Sequence, residues 1–156
     1  MDNTLLKAEL IRDEGKHLKA YKDSVGLWTI GVGHLLGSTP RMLEITEAEC
    51  EALFNYDIDT AEKVVEKLFP HFKQGAGGSI LTFSEDEDVR ARVLVNMAFN
   101  LGPARLAEFK KFVAMVRLRA WADAAREMMD SKWATQVGKR ALRLRDMMRD
   151  GKVGTS

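Results

Sequence analysis

A chain of 156 residues with 46% hydrophobic content can bury a real core, and its length suits one domain or two small lobes. Charged residues make up 30% and nearly cancel, 24 Lys+Arg against 23 Asp+Glu, which excludes a disordered chain and a strongly basic nucleic-acid binder. A single cysteine, Cys50, cannot close an internal disulfide, so the fold does not depend on an oxidising compartment.

The opening stretch "MDNTLLKAELIRDEG" has neither a basic n-region nor a long apolar run, so no secretory signal is expected. It reads as a first helix, with Leu6, Leu10 and Ile11 on one face, Asp2 and Asn3 as cap candidates and Gly15 as the stop. From Ala20 to Val32 the residues Tyr, Val, Trp, Thr, Ile and Val, broken by Gly26, Gly31 and Gly33, suit short strands and tight turns. The longest uncharged run, Ser24 to Pro40, is interrupted by five Gly and His positions and does not match the ~20 apolar residues of a membrane helix.

Thr46 and Glu49 form a capping box, after which Leu53, Phe54, Ile58, Ala61, Val65 and Leu68 mark one helix of more than twenty residues, ending before Pro70. Cys50 lies on this helix and reads as a buried or half-buried thiol. The break "KQGAGGS" reads as a mobile surface loop. A second capping box, Ser84 and Glu87, opens "EDEDVRARVLVNMAFN", whose acidic first turn complements the helix dipole, and "LGP" closes it. Two or three more helices fit 105–150, anchored by Phe109, Phe112, Val116, Trp121, Met128, Met129 and Trp133. The class is α+β, mostly α, with a small N-terminal antiparallel sheet.

The stretch "DEGKHLKAYKDSVGLWTIGVGH", residues 13 to 34, holds the chemistry. Glu14 falls at the expected end of the first helix, where unpaired carbonyls and the negative dipole end disfavour a charged carboxylate. That is the environment of a general acid. Asp23 falls in the polar turn "KDSVG", where water and backbone donors can keep it ionised, and Thr29 offers a hydroxyl that can hold a water beside it. Two carboxyls in contrasting environments are what glycoside hydrolysis needs, although Glu and Asp nine residues apart also occur by chance as solvated charges.

Glu14, eight residues, Asp23, five residues, Thr29, followed by "TIGVGHLL", resembles the active-site signature of the T4-type phage lysozymes, glycoside hydrolase family 24. "FNYDID", "NMAFNLG", "AWADAAREMMDSKW" and "GKRALRLR" resemble, in order, that family's inter-lobe, central and final helices. The resemblance implies a lysozyme-like two-lobed fold forming one catalytic domain over 1–156. Its N-terminal lobe would span about 14–57, the connecting helix about 46–69, and the C-terminal lobe about 70–156 together with the first helix, 3–13. It also implies an endolysin muramidase that cuts the β-1,4 bond between N-acetylmuramic acid and N-acetylglucosamine of peptidoglycan with inversion. Glu14 would be the acid, Asp23 would orient or deprotonate the attacking water, and Thr29 would help to hold it. Leu35 and Phe99 match cleft positions that contact sugar, and Arg140 matches a cation near the acid. Two departures stand out: the link from His34 to Thr46 is short, which removes one helix, and Phe112 and Glu127 replace an expected small hydroxyl residue and an amide.

His34 reads as a structural donor paired to Asp57, which the resemblance sets beside it, rather than as a base. Trp28 can stack on a sugar or pack in the small core. His17 and His71 have no metal-ligand spacing, and neither metal nor cofactor is expected. Met128, Met129, Met147 and Met148 read as core filler. Residues 131–156 carry a local charge excess of +5, best read as a solvated helix face rather than a nucleic-acid site. The expected partner is the peptidoglycan glycan strand, met by a monomer with no stable membrane insertion and no nucleic acid. The expected location is the host cytoplasm, then periplasm and cell wall once a holin opens the way. Two other functions remain open: a lytic transglycosylase, and a non-catalytic helical module that binds cell wall or nucleic acid.

Overall fold

The computed structural model describes residues 1–39, 42–72 and 83–154, so the break "KQGAGGS" lies outside the described residues. The described chain is mostly helical with one three-stranded antiparallel sheet, the α+β class expected from the sequence. Contacts divide it into two units, Asn3–Thr60 and Met1–Asp2 with Ala61–Ser156.

In the first unit, α1 (Asn3–Glu14) fully buries Leu6 and Leu10, whereas Ile11, expected on the same face, is 38% exposed. Gly15 ends the helix at φ +76°, its N–H reaching the Ile11 carbonyl at 2.8 Å. The sheet runs β1 (His17–Lys22), β2 (Trp28–Gly31), β3 (His34–Gly37) in that order, so β1 starts earlier and β3 later than the sequence pattern indicated. On the free edge of β1, Ala20 donates to the Leu43 carbonyl and Ile45 donates to that of Leu18, both at 2.8 Å. Among the described residues the link from β3 to the next helix contains no helix, in keeping with its short length.

That next helix, α2 (Glu47–Leu68), opens on its capping box: the Thr46 N–H donates to Glu49 Oε1 at 3.0 Å and the Glu49 N–H to Thr46 Oγ1 at 3.1 Å. Cys50, Phe54 and Ile58 form its buried stripe within this unit, while Leu53 is half-buried. Lys7 pairs with Glu51 and lies 5.8 Å over the Phe54 ring, and Lys16 pairs with Glu47 at 2.6 Å. The division into units groups α1 with the sheet, whereas the sequence sets it with the C-terminal lobe. The Gly15 turn feeds it directly into β1, Lys7 fastens it to α2, and Lys16, just before β1, does the same for the turn.

In the second unit α2 continues through buried Ala61 and Val65 to a 3-10 turn at Pro70–Phe72. Next comes α3 (Glu85–Leu101), where Ser84 and Glu87 complete the second capping box. Every residue from Val89 to Ala98 is buried, Arg90, Arg92 and Asn96 included, so α3 is covered on all sides and forms the centre of this unit. It ends at Gly102, φ +79°, followed by Pro103.

Five helices, not two or three, fill the rest: α4 (Pro103–Glu108), α5 (Lys110–Arg117), α6 (Trp121–Met129), α7 (Lys132–Val137) and α8 (Lys139–Asp150). Only one of the breaks between them, at Gly138, uses a glycine. After α5, Arg119 adopts φ +57°, and the Ala120 and Arg119 N–H groups return to the Met115 and Val116 carbonyls, a Schellman ending built without glycine. Met128, Met147 and Met148 are buried as expected, with Met129 half-buried. The basic tail is not a plain solvated face: Arg140 is buried, and Arg145 and Arg149 pair with Asp146 and Asp150.

Buried Arg90 binds α3 to the end of α8. Its guanidinium donates to the carbonyls of Met148 (2.8 Å) and Arg149 (3.1 Å) and to Asp86 (2.9 Å), and lies 4.4 Å over the Trp121 ring. The last carbonyls of a helix have no partner within it, so this cation satisfies groups that would otherwise be stranded. Arg90→Met is expected to lower stability by about 2–4 kcal/mol in urea unfolding, and Arg90→Lys, which cannot fork to two carbonyls, should recover only part of that.

Candidate active site

Glu14, Asp23, Thr29, His34, Leu35 and Asp57 all lie in the unit Asn3–Thr60. Glu14 is the last residue of α1, and its carboxyl rests against the turn between β2 and β3. A Cβ on Gly33 would stand 2.8 Å from Glu14 Oε2 and 2.9 Å from its Cδ, and Gly33 also has φ +66°. Glycine is required there twice, for space and for backbone conformation.

Asp23 is folded into its own turn. Its Oδ1 accepts the N–H groups of Val25 (3.0 Å) and Leu27 (2.8 Å), and its own N–H donates to the Leu27 carbonyl at 2.7 Å. Its Oδ2 has no hydrogen-bond partner among the described residues. Across the sheet, Thr29 of β2 is opposite Tyr21 of β1 on one side and Leu35 of β3 on the other. Directly opposed residues share a face, so Tyr21, Thr29 and Leu35 form one row, and Asp23 follows Tyr21 by two residues in the turn just after β1. Thr29 is 5% exposed and Leu35 56%.

Tyr21 was not among the sequence candidates. Burial, and then the carboxylates of Glu14 and Asp23, push its phenol above the ordinary tyrosine range, so it remains a proton donor through neutral pH. The signal in the sequence was the i, i+2 relation of "YKD", visible once the strand is known. His34 Nδ1 lies 2.7 Å from Asp57 Oδ2, the pairing anticipated from the sequence. A carboxylate only accepts, so Nδ1 carries the proton and the pair fastens β3 to α2. Trp28 is half-buried on β2. Cys50 is 2% exposed, and burial pushes its thiol up, away from reactive thiolate.

The remaining candidates lie in the other unit. Arg140 of α8 is buried and donates from Nε to Asn96 Oδ1 at 2.9 Å, and Phe99 of α3 is half-buried. Phe112 and Glu127 line a pocket of about 430 Å³ with Lys110, Asp130 and Ser131. Phe112 is 1% exposed, packed edge-on against Phe69 and Phe109, so its ring belongs to the core. Among the described residues no group of three or more His, Cys, Asp and Glu could hold a metal ion.

The model of the phage lysozyme family matches residues 12–148. The chain belongs to the phage lysozyme family. Two relatives from Dictyostelium discoideum, "Probable T4-type lysozyme 2" and "Probable T4-type lysozyme 1", are 31% and 30% identical to it, each over 94% of this chain and 94% of their own length. The "Pre-baseplate central spike protein Gp5" of Enterobacteria phage T4 is 29% identical over 91% of this chain, which corresponds to 27% of that protein. As a phage lysozyme the chain is a glycoside hydrolase, and the fold expected from the resemblance agrees with the helices and sheet described above.

Two outcomes follow for this unit. Gly33→Ala, which puts a methyl where the Glu14 carboxyl lies, should cut the clearing rate of permeabilised cells on the order of 100-fold. Gly37→Ala, at φ +112° with nothing within 4 Å, controls for backbone strain and should retain activity below its melting temperature. Long-range ¹H–¹⁵N NMR should find neutral His34 as the Nδ1–H tautomer, and Asp57→Leu should abolish that preference.

Proposed function

We propose that the chain is an endolysin muramidase that hydrolyses the β-1,4 bond between N-acetylmuramic acid and N-acetylglucosamine of peptidoglycan. What carries this reading is the contrast between two carboxyls of one unit. Glu14 sits at a helix C-terminus against Gly33, and Asp23 is tethered by two backbone N–H groups with Oδ2 left over. Glycoside hydrolysis requires one acid to protonate the leaving oxygen and one carboxylate to take a proton from water or attack the sugar.

In this reading Glu14 is the acid and Asp23 the base. A water on Asp23 Oδ2, steadied by the Thr29 hydroxyl, attacks the anomeric carbon while Asp23 takes its proton. The glycosidic bond breaks, and the leaving oxygen takes the proton of Glu14. Direct attack by water inverts the anomeric centre. Exposed Leu35 offers apolar surface to the sugar rings, and His34 with Asp57 braces β3. The enzyme works as a monomer without a cofactor, held in the host cytoplasm until a holin admits it to the periplasm and wall, as suits a phage or prophage lysis protein. A lytic transglycosylase also needs an acid but no partner to activate water, so the tethered Asp23 beside Thr29 favours hydrolysis.

Glu14→Gln is expected to lower the rate on purified sacculi by on the order of 100-fold or more without loss of folding. Mass spectrometry of the wild-type digest should show reducing muramic ends. Anhydro ends would assign a transglycosylase, and intact sacculi a binding module.

A further inference from the structure

A hydroxyl that the proposed mechanism does not use lies close enough to both carboxyls to feel their charge. Tyr21 is register partner to Thr29 and stands two residues before Asp23 on the sheet face that also carries Leu35. Its ring is held from the side by the His17 ring, with centroids 4.3 Å apart, and Gly15 leaves room for that imidazole, since a Cβ there would meet His17 Nε2 at 3.2 Å. The Tyr21 hydroxyl has no hydrogen-bond partner among the described residues, although a half-buried phenol ordinarily finds one. A fixed ring with an unused donor is pre-organised for something outside the protein.

In a glycoside hydrolase the acid and the base flank the anomeric carbon, so a group in the field of both faces the sugar that occupies the gap. We propose that the Tyr21 hydroxyl donates a hydrogen bond to the sugar whose anomeric carbon lies between Glu14 and Asp23, which makes Tyr21 a further catalytic residue. The recognised chemistry is an oxygen acceptor near the reacting carbon, here the acetamido carbonyl carried on the adjacent C2. Hydrogen bonds to the C2 substituent tighten as the ring flattens toward the oxocarbenium-like transition state, so the contact acts on turnover more than on binding. The phenol stays protonated near neutral pH, so the donor is present under working conditions. This role rests on the muramidase assignment of Glu14 and Asp23.

The test is the kinetics of Tyr21→Phe on a soluble muropeptide oligomer, with Glu14→Gln and His17→Leu in parallel. The expected result for Tyr21→Phe is a loss of about 10- to 100-fold in kcat, with KM and melting temperature close to wild type. His17→Leu retains the hydroxyl and should lose much less. Wild-type kcat in Tyr21→Phe, or a loss confined to KM, overturns the proposal. So does an equal loss in His17→Leu, which would assign the effect to ring packing. An inactive Glu14→Gln beside a fully active Tyr21→Phe leaves the muramidase reading standing and removes only the part given to Tyr21.

Discussion

The Glu14 carboxyl can lie against the β2–β3 turn only because residue 33 has no side chain. That vacancy couples a helix end to a strand turn, two elements that local sequence preferences alone would leave free to shift. The acid is thus placed by a missing atom, while Asp23 is placed by two backbone donors of its own loop. Neither carboxyl depends on a long flexible side chain reaching across open space. The precision that general acid–base chemistry demands is supplied by backbone geometry.

The two units manage polar burial differently. Around the sheet, the lysine–glutamate pairs at α2 are peripheral and worth little individually in water, and they tie α1 and the residue before β1 to α2. Around α3, guanidinium groups are taken out of water altogether, and each then requires acceptors. Arg90 finds them in the final carbonyls of α8, and Arg140 in Asn96. A desolvated cation whose donors are all satisfied, as those of Arg90 are, tolerates few alternative arrangements, so α3 and α8 are held in one relation.

Helices that begin with a full capping box were legible in advance. Thr46–Glu49 and Ser84–Glu87 located the starts of α2 and α3, and the four- and three-residue spacing from Phe54 to Val65 located the buried stripe of α2. The region after Gly102 was less legible because two of its breaks fall at Phe109 and Arg119, residues that carry no turn preference strong enough to read, although the break at Asp130 and the Ser131 cap of α7 do carry one. The exposure of Ile11 and the burial of Arg140 depend on what packs against each helix, which periodicity does not encode. The candidate site was legible where chemistry is local: Gly15 marked the helix end at Glu14, and "KDSVG" marked the Asx turn at Asp23. Tyr21 was not, because its relation to Thr29 exists only once β1 and β2 are in register.

The lone thiol gives this architecture a built-in reporter. Cys50 lies beneath the sheet, and even a Cβ on Gly31 would come within 3.5 Å of its Sγ. An alkylating reagent can reach the sulfur only when β2 lifts away from α2. The rate at which Cys50 is labelled in the native protein is therefore a clock for that opening, and it measures the local free energy of the unit that carries both carboxyls without a mutation being introduced.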